Sequence, residues 1–588
     1  MKLTITILLL GSMAAWSQQR KPDATKPPER KPVAATAPAA ETVKGDATKL
    51  VAEKPLKSIV IVASPAKVVT AGRKDLKPGV TVEGPDFLKY QWDFVKALKP
   101  YLGKPLSEQS LYAMQRDIIL YCRAKDHPVV DVFLAVQEIE DSIQIAVIEG
   151  KVGAVIVNNE GKKWFSDKFI KNNNHLKPGS SISERRLLND LAWMNRNPMF
   201  REVTASYKQS SIGEGSTDLI FNVNDRFPLR PYVGYEDSLS EILGRHSLFG
   251  GFNYGNLFGL DHQLNYQYTS GFDLDRYKSH YGSYILPLPW RHTITLYGVH
   301  TEFQPDLTTL GNYIAHVNGW FYQVGGRYTL PLFDIGKYNH QLSAGYDYKK
   351  FNNDADFGGT GMFNSMATVR EFVGGYSGAL NDSLGELTFN GNVYYSPWHD
   401  QKMQESYTLI RNGSQLQFFL VRAEGKRVIK LPLTTDWRNN SSAKCWTVVA
   451  KGSYQYSPNV LVPSEQFGIG GFGTVRGYNE RIANGDRGYS VSAELRTPFI
   501  QLSKDRSTPV ATQLYGFYDR GAITVNGDLT NPHADLASVG GGINLQVTTH
   551  FQVRAEYGWQ LVRDSVILTA PGADQKRSRA HISAVLSF

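Results

Sequence analysis

The last ten residues read RAHISAVLSF (Arg579–Phe588). Ile582, Ala584, Leu586 and Phe588 fall on one side of an extended chain; His581, Ser583 and Ser587 fall on the other. Successive side chains of a strand point to opposite faces, so this is a strand with one apolar and one polar face. The same alternation recurs upstream, in HQLNYQYTSG, HTITLYGVHTEF, GELTFNGNVYYS and FQVRAEYGWQLV. From Pro231 to Phe588 helical periodicity is absent, and sixteen strands can be marked out with long polar loops between many of them. That leaves roughly 22 residues per strand and loop, the density of an outer-membrane barrel. A sheet that spans a bilayer must close on itself, because lipid offers no partner to an unpaired backbone group. Tyr, Phe and Trp cluster at strand ends, as the two interfacial girdles require. The expectation is a mainly β chain whose residues 229–588 form a sixteen-stranded transmembrane β-barrel, with Phe588 as its C-terminal assembly signal.

Upstream the pattern changes. GVTVEG (Gly79–Gly84) reads as a strand, followed by Leu88, Trp92, Val95, Leu98 and Leu102 at helical spacing. Ser107 can cap a second helix with Leu111, Met114, Ile118 and Cys122 on one face; two strands follow, VVDVFLAVQ and SIQIAVIEG. KSIVIV (Lys57–Val62) reads as an added or first strand. The order then repeats: the strand KVGAVIVN, a short helix from Phe165 to Ile170, a helix opened by the capping box Ser181-x-x-Glu184, and the strands FREVTASYKQ and TDLIFNVND. Two small α+β modules in tandem are expected, at 57–150 and 151–228.

The N-terminus, MKLTITILLLGSMAAWS, has a positive start, an apolar stretch and a small-x-small cleavage pattern, so residues 1–17 read as a signal peptide. Residues 18–56 hold six prolines and few large apolar side chains, the composition of a disordered tether. Residues 18–57 hold nine Lys/Arg against five Asp/Glu and supply +4 of the net charge of +9; the rest is spread thinly, which argues against a clustered nucleic-acid surface. The two cysteines, Cys122 and Cys445, lie in different expected domains.

One stretch resists the strand reading: GIGGFGTVRGYNE (Gly468–Glu480). Its G-x-G-x-x-G (Gly468, Gly470, Gly473) has no helix after it, so it is not a dinucleotide fingerprint. It lies in a loop of about thirty residues, long enough to do more than reverse the chain. On the strand after next, Phe517, Asp519 and Gly521 share a face; on the strand between, Glu494 shares one with Ser492 and Arg496. A carboxylate inside a barrel calls for a cation.

A VRGY loop (Val475, Arg476, Gly477, Tyr478), a following F-x-D-x-G strand, a barrel ending in Phe and preceding α+β modules together resemble the Omp85 superfamily. Two modules and a Pro-rich N-terminal segment resemble its two-partner secretion transporters, of the haemolysin secretion/activation type. The resemblance spans about residues 57–588. It implies that the modules are POTRA domains in the periplasm and that the barrel lies in the outer membrane. It implies that the loop enters the lumen, where Arg476 pairs with Asp519, flanked by Phe517, Gly521, Tyr478 and Glu494. The implied function is export of an unfolded exoprotein, a β-helical repeat protein, driven by binding and folding without nucleotide. The implied partners are that exoprotein, the barrel-assembly machinery and outer-membrane lipids, with no nucleic acid. Relatives often begin with a helix that plugs the barrel; the Pro-broken tether departs from that pattern. No catalytic constellation, metal motif or cofactor site stands out. An Omp85-type insertase is the alternative, disfavoured by only two modules; a porin or enzyme barrel lacks reason for them.

Overall fold

The computed structural model describes residue 46 and residues 48–588, apart from 74–75, 212, 214, 306–314, 358–359, 434–436, 504–509, 528–531 and 563–575. The signal peptide, most of the tether and any plug helix lie outside these residues. The chain divides into two compact units, described separately.

In the first module a four-stranded sheet runs in the order Gly79–Val82, Ser58–Val62, Ser142–Glu149, Val130–Phe133. Ser58–Val62 is parallel to both its neighbours and buried at every residue. That is why its sequence is a continuous apolar run: both faces of a central strand are covered. Ile59 and Ile61 face the helices Trp92–Leu98 and Glu108–Ala124; Val60 and Val62 face a smaller cluster with Ala146. Ser107 caps the second helix, and Leu111, Met114, Ile118 and Cys122 are its buried face. Burial pushes the Cys122 thiol up to about 12, so it is an inert packing residue. Cys122 and Cys445 are both free.

The structure departs from three expectations. The tether does not run to residue 56. Leu50–Ala52 pairs with Leu106–Ser107, and Ala52 and Leu56 are buried in the first module's core. Trp92, placed on the apolar helical face, is 77% exposed, and Phe94 is the fully buried residue. The helix there is only seven residues, flanked by 3-10 turns at Asp86–Leu88 and Lys99–Tyr101 that shift the phase of the pattern. The third concerns the second module.

That module is a three-stranded sheet in the order Lys151–Asn159, Ser216–Asp225, Phe200–Gln209. The middle strand alternates strictly, with Leu219, Phe221 and Val223 inward against the helices Asp167–Asn173 and Glu184–Arg196. The latter helix is not opened by Ser181. Ser183 caps it, accepting from the Arg186 N–H at 3.2 Å. Asp126 of the first module fixes that choice: its carboxylate accepts from the Ser183 hydroxyl and from the Arg185 N–H at 2.7 Å.

Among the described residues, sixteen antiparallel strands from Leu229–Glu236 to Ser578–Ser587 close into a barrel, with the two-residue piece Ile500–Gln501 beside them. The first and last strands pair from Tyr232–Ser587 to Glu236–Ser583. Outward positions carry Leu296, Val324, Phe372, Leu495 and Leu514, all exposed, with Tyr395, Tyr454, Tyr518 and Trp559 among the outward aromatics. Inward positions are largely polar. The rim where Leu229 starts and Phe588 ends is the near rim; the opposite one is the far rim.

Candidate functional site

The loop 457–486 leaves the strand Thr447–Tyr456 at the far rim and rejoins the barrel at Arg487–Arg496. A short hairpin, Phe467–Ile469 with Ala483–Gly485, braces its two legs. No helix follows the glycines, so the G-x-G-x-x-G is a loop element.

At its tip Arg476 is 3% exposed. Its Nε and one terminal nitrogen grip Asp519 at 2.6 and 2.7 Å, and its backbone N–H donates to the same carboxylate at 3.1 Å. The other terminal nitrogen donates to Glu494 at 2.9 Å and Glu556 at 3.1 Å; Ser492 Oγ accepts at 3.0 Å. All five guanidinium N–H groups therefore have acceptors, from strands Arg487–Arg496, Ala511–Thr524 and Phe551–Gln560. The planar fork suits this task as a lysine would not. The ring of Phe517 lies 3.5 Å beneath the guanidinium carbon.

The flanking residues give the tip its fit. Gly477 has φ +88°, and a Cβ there would meet the Gly558 carbonyl at 2.9 Å. A Cβ at Gly521 would press the Val475 side chain at 2.9 Å. Val475 and Tyr478 are buried with Ile469, Ile523 and Leu536, and the Tyr478 hydroxyl reaches the Ala537 carbonyl at 2.8 Å. Every residue singled out in the loop and the wall is thus brought to one place, while Phe588 lies apart at the near rim, its N–H on the Pro231 carbonyl at 3.1 Å.

The sequence reading missed two features. Glu556 was overlooked, although it sits on an alternating strand with Arg554, whose guanidinium holds it at 2.7 Å. The loop also has a second anchor. Glu465, fully buried on the outgoing leg, accepts from Lys349 at 2.8 Å and Arg422 at 3.2 Å, and Lys349 also meets Glu371 at 2.8 Å. Lys349, Glu371 and Arg422 stand on three other wall strands. The loop therefore crosses the lumen, pinned at one wall by Glu465 and at another by Arg476. Beside it an open cavity of about 460 Å³ is lined by Thr388, Asn390, Lys426, Lys451, Thr474 and Arg476, among others.

The model of the family described as haemolysin secretion/activation protein ShlB/FhaC/HecB matches residues 215–545. The chain belongs to this family. It is 22% identical over 479 residues to the heme/hemopexin transporter protein HuxB of Haemophilus influenzae, covering 76% of this chain and 77% of that one. Its fold is similar to CdiB from Escherichia coli, with TM-score 0.66 at 16% identity over 95% of this chain and 94% of that one. CdiB from Acinetobacter baumannii gives 0.58 at 16% over 98% and 97%. BamA from Haemophilus ducreyi lacking POTRA domains 1–3 gives 0.52 at 13% over 90% and 100%. The chain is an outer-membrane translocator of two-partner secretion, with its POTRA-like modules in the periplasm. The family is one of transport proteins, which implies a secreted partner and a non-enzymatic role. The near rim of the barrel is accordingly periplasmic and the far rim extracellular.

Proposed function

We propose that the loop 457–486 is the movable obstruction of the transporter's conduit, and that the Arg476–Asp519 grip, with Glu494 and Glu556, sets its resting position. The observation that carries this is the complete use of the Arg476 guanidinium by three wall strands. A merely exposed arginine would be worth little. This one is held as a placement device.

The client is an unfolded exoprotein, a β-helical repeat protein, that reaches the periplasmic modules as an extended chain. It adds as a strand to a free sheet edge, Gly79–Val82 or Val130–Phe133 in the first module, or an outer strand of the second. Passage needs neither nucleotide nor cofactor; binding and folding outside make it irreversible. The lumen offers a suitable track. The inward positions of Ser247–Leu257, His262–Gly271, Tyr277–Pro287 and Thr293–Phe303 hold no Asp, Glu, Lys, Arg or His. Residues such as Asn265, Gln267, Thr269 and Ser283 offer weak, interchangeable hydrogen bonds to a sliding backbone. Phe588 and its strand serve the barrel-assembly machinery, and the outward apolar belt meets the lipid. Residues 1–17 act as the signal peptide.

The test is export of a secreted repeat protein encoded beside this one. Deleting the first module, residues 50–150, is expected to abolish its export while the barrel still shows a heat-modifiable gel shift. Normal export by the deletion variant overturns capture by the first module.

A further inference from the structure

A water-filled lumen calls for polar inward side chains. At the extracellular rim five strands break this rule: Val299, Phe321, Phe351, Val369 and Leu420 turn inward and are buried. They pack against the helix Gln401–Ile410, in the loop before Phe418–Lys430, and against Leu461 and Val462 on the outgoing leg of the lumen loop. Tyr407 of this helix is fully buried, with its hydroxyl on the Thr368 carbonyl at 3.0 Å, while Leu409 is 81% exposed on the other side. Asp400 caps the helix, accepting from the Met403 N–H at 3.0 Å. The barrel mouth thus holds a small hydrophobic core of its own.

Arg411 follows the helix directly. Its guanidinium takes Asp486 bidentately at 2.6 and 2.8 Å and also donates to the carbonyls of Leu461 and Asn526. Asp486 is fully buried and accepts two backbone N–H bonds besides, from Leu461 at 2.8 Å and Asn526 at 2.7 Å. One ion pair therefore ties the helix end to both legs of the lumen loop and to the loop after Ala511–Thr524.

We propose that Arg411 and Asp486 form an outer lock, distinct from the Arg476–Asp519 grip, which holds the Gln401–Ile410 helix as a cap on the extracellular mouth. Arg411 is a positioning residue: it acts through the cap. Asp486 closes the return leg ten residues after Arg476, so a loop that leaves its deep site pulls on the lock. The two locks differ in depth. The Arg411 side chain is 15% exposed and the Arg476 side chain 4%, so water reaches the outer pair first and it yields first. The inference rests on the barrel being the conduit, but its test reads the pore and needs no client.

The full-length protein is purified in detergent and its KCl current measured in planar lipid bilayers. A bidentate charged pair is worth about tenfold in a closed-to-open ratio, so Arg411→Ala is expected to raise the open fraction about tenfold. On intact cells, Leu416→Cys, buried under the cap, is expected to react with a membrane-impermeant maleimide faster in the Arg411→Ala background. Wild-type current and unchanged labelling in a barrel that keeps its heat-modifiable shift overturn the proposal. If Arg411→Ala loses that shift, Arg411→Gln is read instead. It keeps one NH2 donor group and loses the charge and the guanidinium fork; wild-type current there also overturns the outer lock. A raised open fraction in the variants, beside a wild-type protein that exports no client, would count against the conduit reading alone.

Discussion

Ile61 in the first module and Asp519 in the barrel wall are both fully buried, yet their surroundings have nothing in common. Ile61 lies among Leu88, Phe94, Met114 and Ile145. Asp519 lies on Arg476, with Glu494 and Glu556 beyond it. An apolar side chain taken from water stabilises the fold by about 1.5–3 kcal/mol. A buried ion pair scarcely does so, because desolvation offsets most of the attraction. The barrel does not need that stabilisation: its closed ladder of backbone hydrogen bonds holds it. Its interior charges are free to specify where a loop rests. Interior substitutions in the modules should therefore cost folding, and those in the lumen should cost placement.

The largest expected effect tests the lumen side. Arg476→Ala leaves Asp519 facing a partly dehydrated wall, at a cost of roughly 3–5 kcal/mol where the site is dry. Export is expected to fail while the barrel inserts and keeps its heat-modifiable shift. In a double-mutant cycle with Asp519→Ala, the double variant should be scarcely worse than either single one. Additive losses would separate the two residues, and a barrel that fails to insert would mean that the charges serve folding after all.

Next is Phe94→Ala in the first module, where a fully buried ring is lost. About 3–5 kcal/mol is expected from transfer and cavity terms together. The module should become protease-sensitive at a lower urea concentration, with the barrel fragment unaffected. Joint loss of both parts would break the contrast. Gly477→Ala should come third. The new methyl meets the Gly558 carbonyl, and φ of +88° costs an L residue about 1–2 kcal/mol. Reduced export with an intact barrel is expected; full export would show that the tip tolerates a shift.

The same contrast explains what could be read from the sequence. Leu111, Met114, Ile118 and Cys122 were legible because a long helix repeats its phase, and the sixteen barrel strands because alternation has period two. Trp92 and Phe94 were exchanged because seven helical residues between 3-10 turns do not sustain a phase. Ser183, rather than Ser181, begins its helix because Asp126, far off in sequence, binds it. Parity told which neighbours share a face with Glu494 and which with Asp519; family resemblance supplied the loop's path and the meeting of the two strands' carboxylates. Neither could place Glu556 or the Lys349–Glu465–Arg422 anchor. Those partners depend on which strands meet the loop as it crosses the barrel, and a local pattern does not encode that.

The smallest expected effect sharpens the comparison from the module side. Arg73 hydrogen-bonds Glu83 and holds its carboxyl below the usual carboxylate range. A depressed folded value means stability that is present above the unfolded value of about 4.3 and lost as pH falls through the folded one. The Glu83 side chain is 39% exposed, so solvent screening limits the pair to a few tenths of a kcal/mol. Glu83→Gln should lower the urea concentration at which protease cuts the first module slightly at pH 7, with the gap closing as pH falls below about 4. Export and the barrel's heat-modifiable shift should be equal in the two proteins at pH 7. A gap that persists at low pH would assign the effect to packing, and a loss as large as that of Phe94→Ala would mean that charge pairs carry the module as well as the lumen.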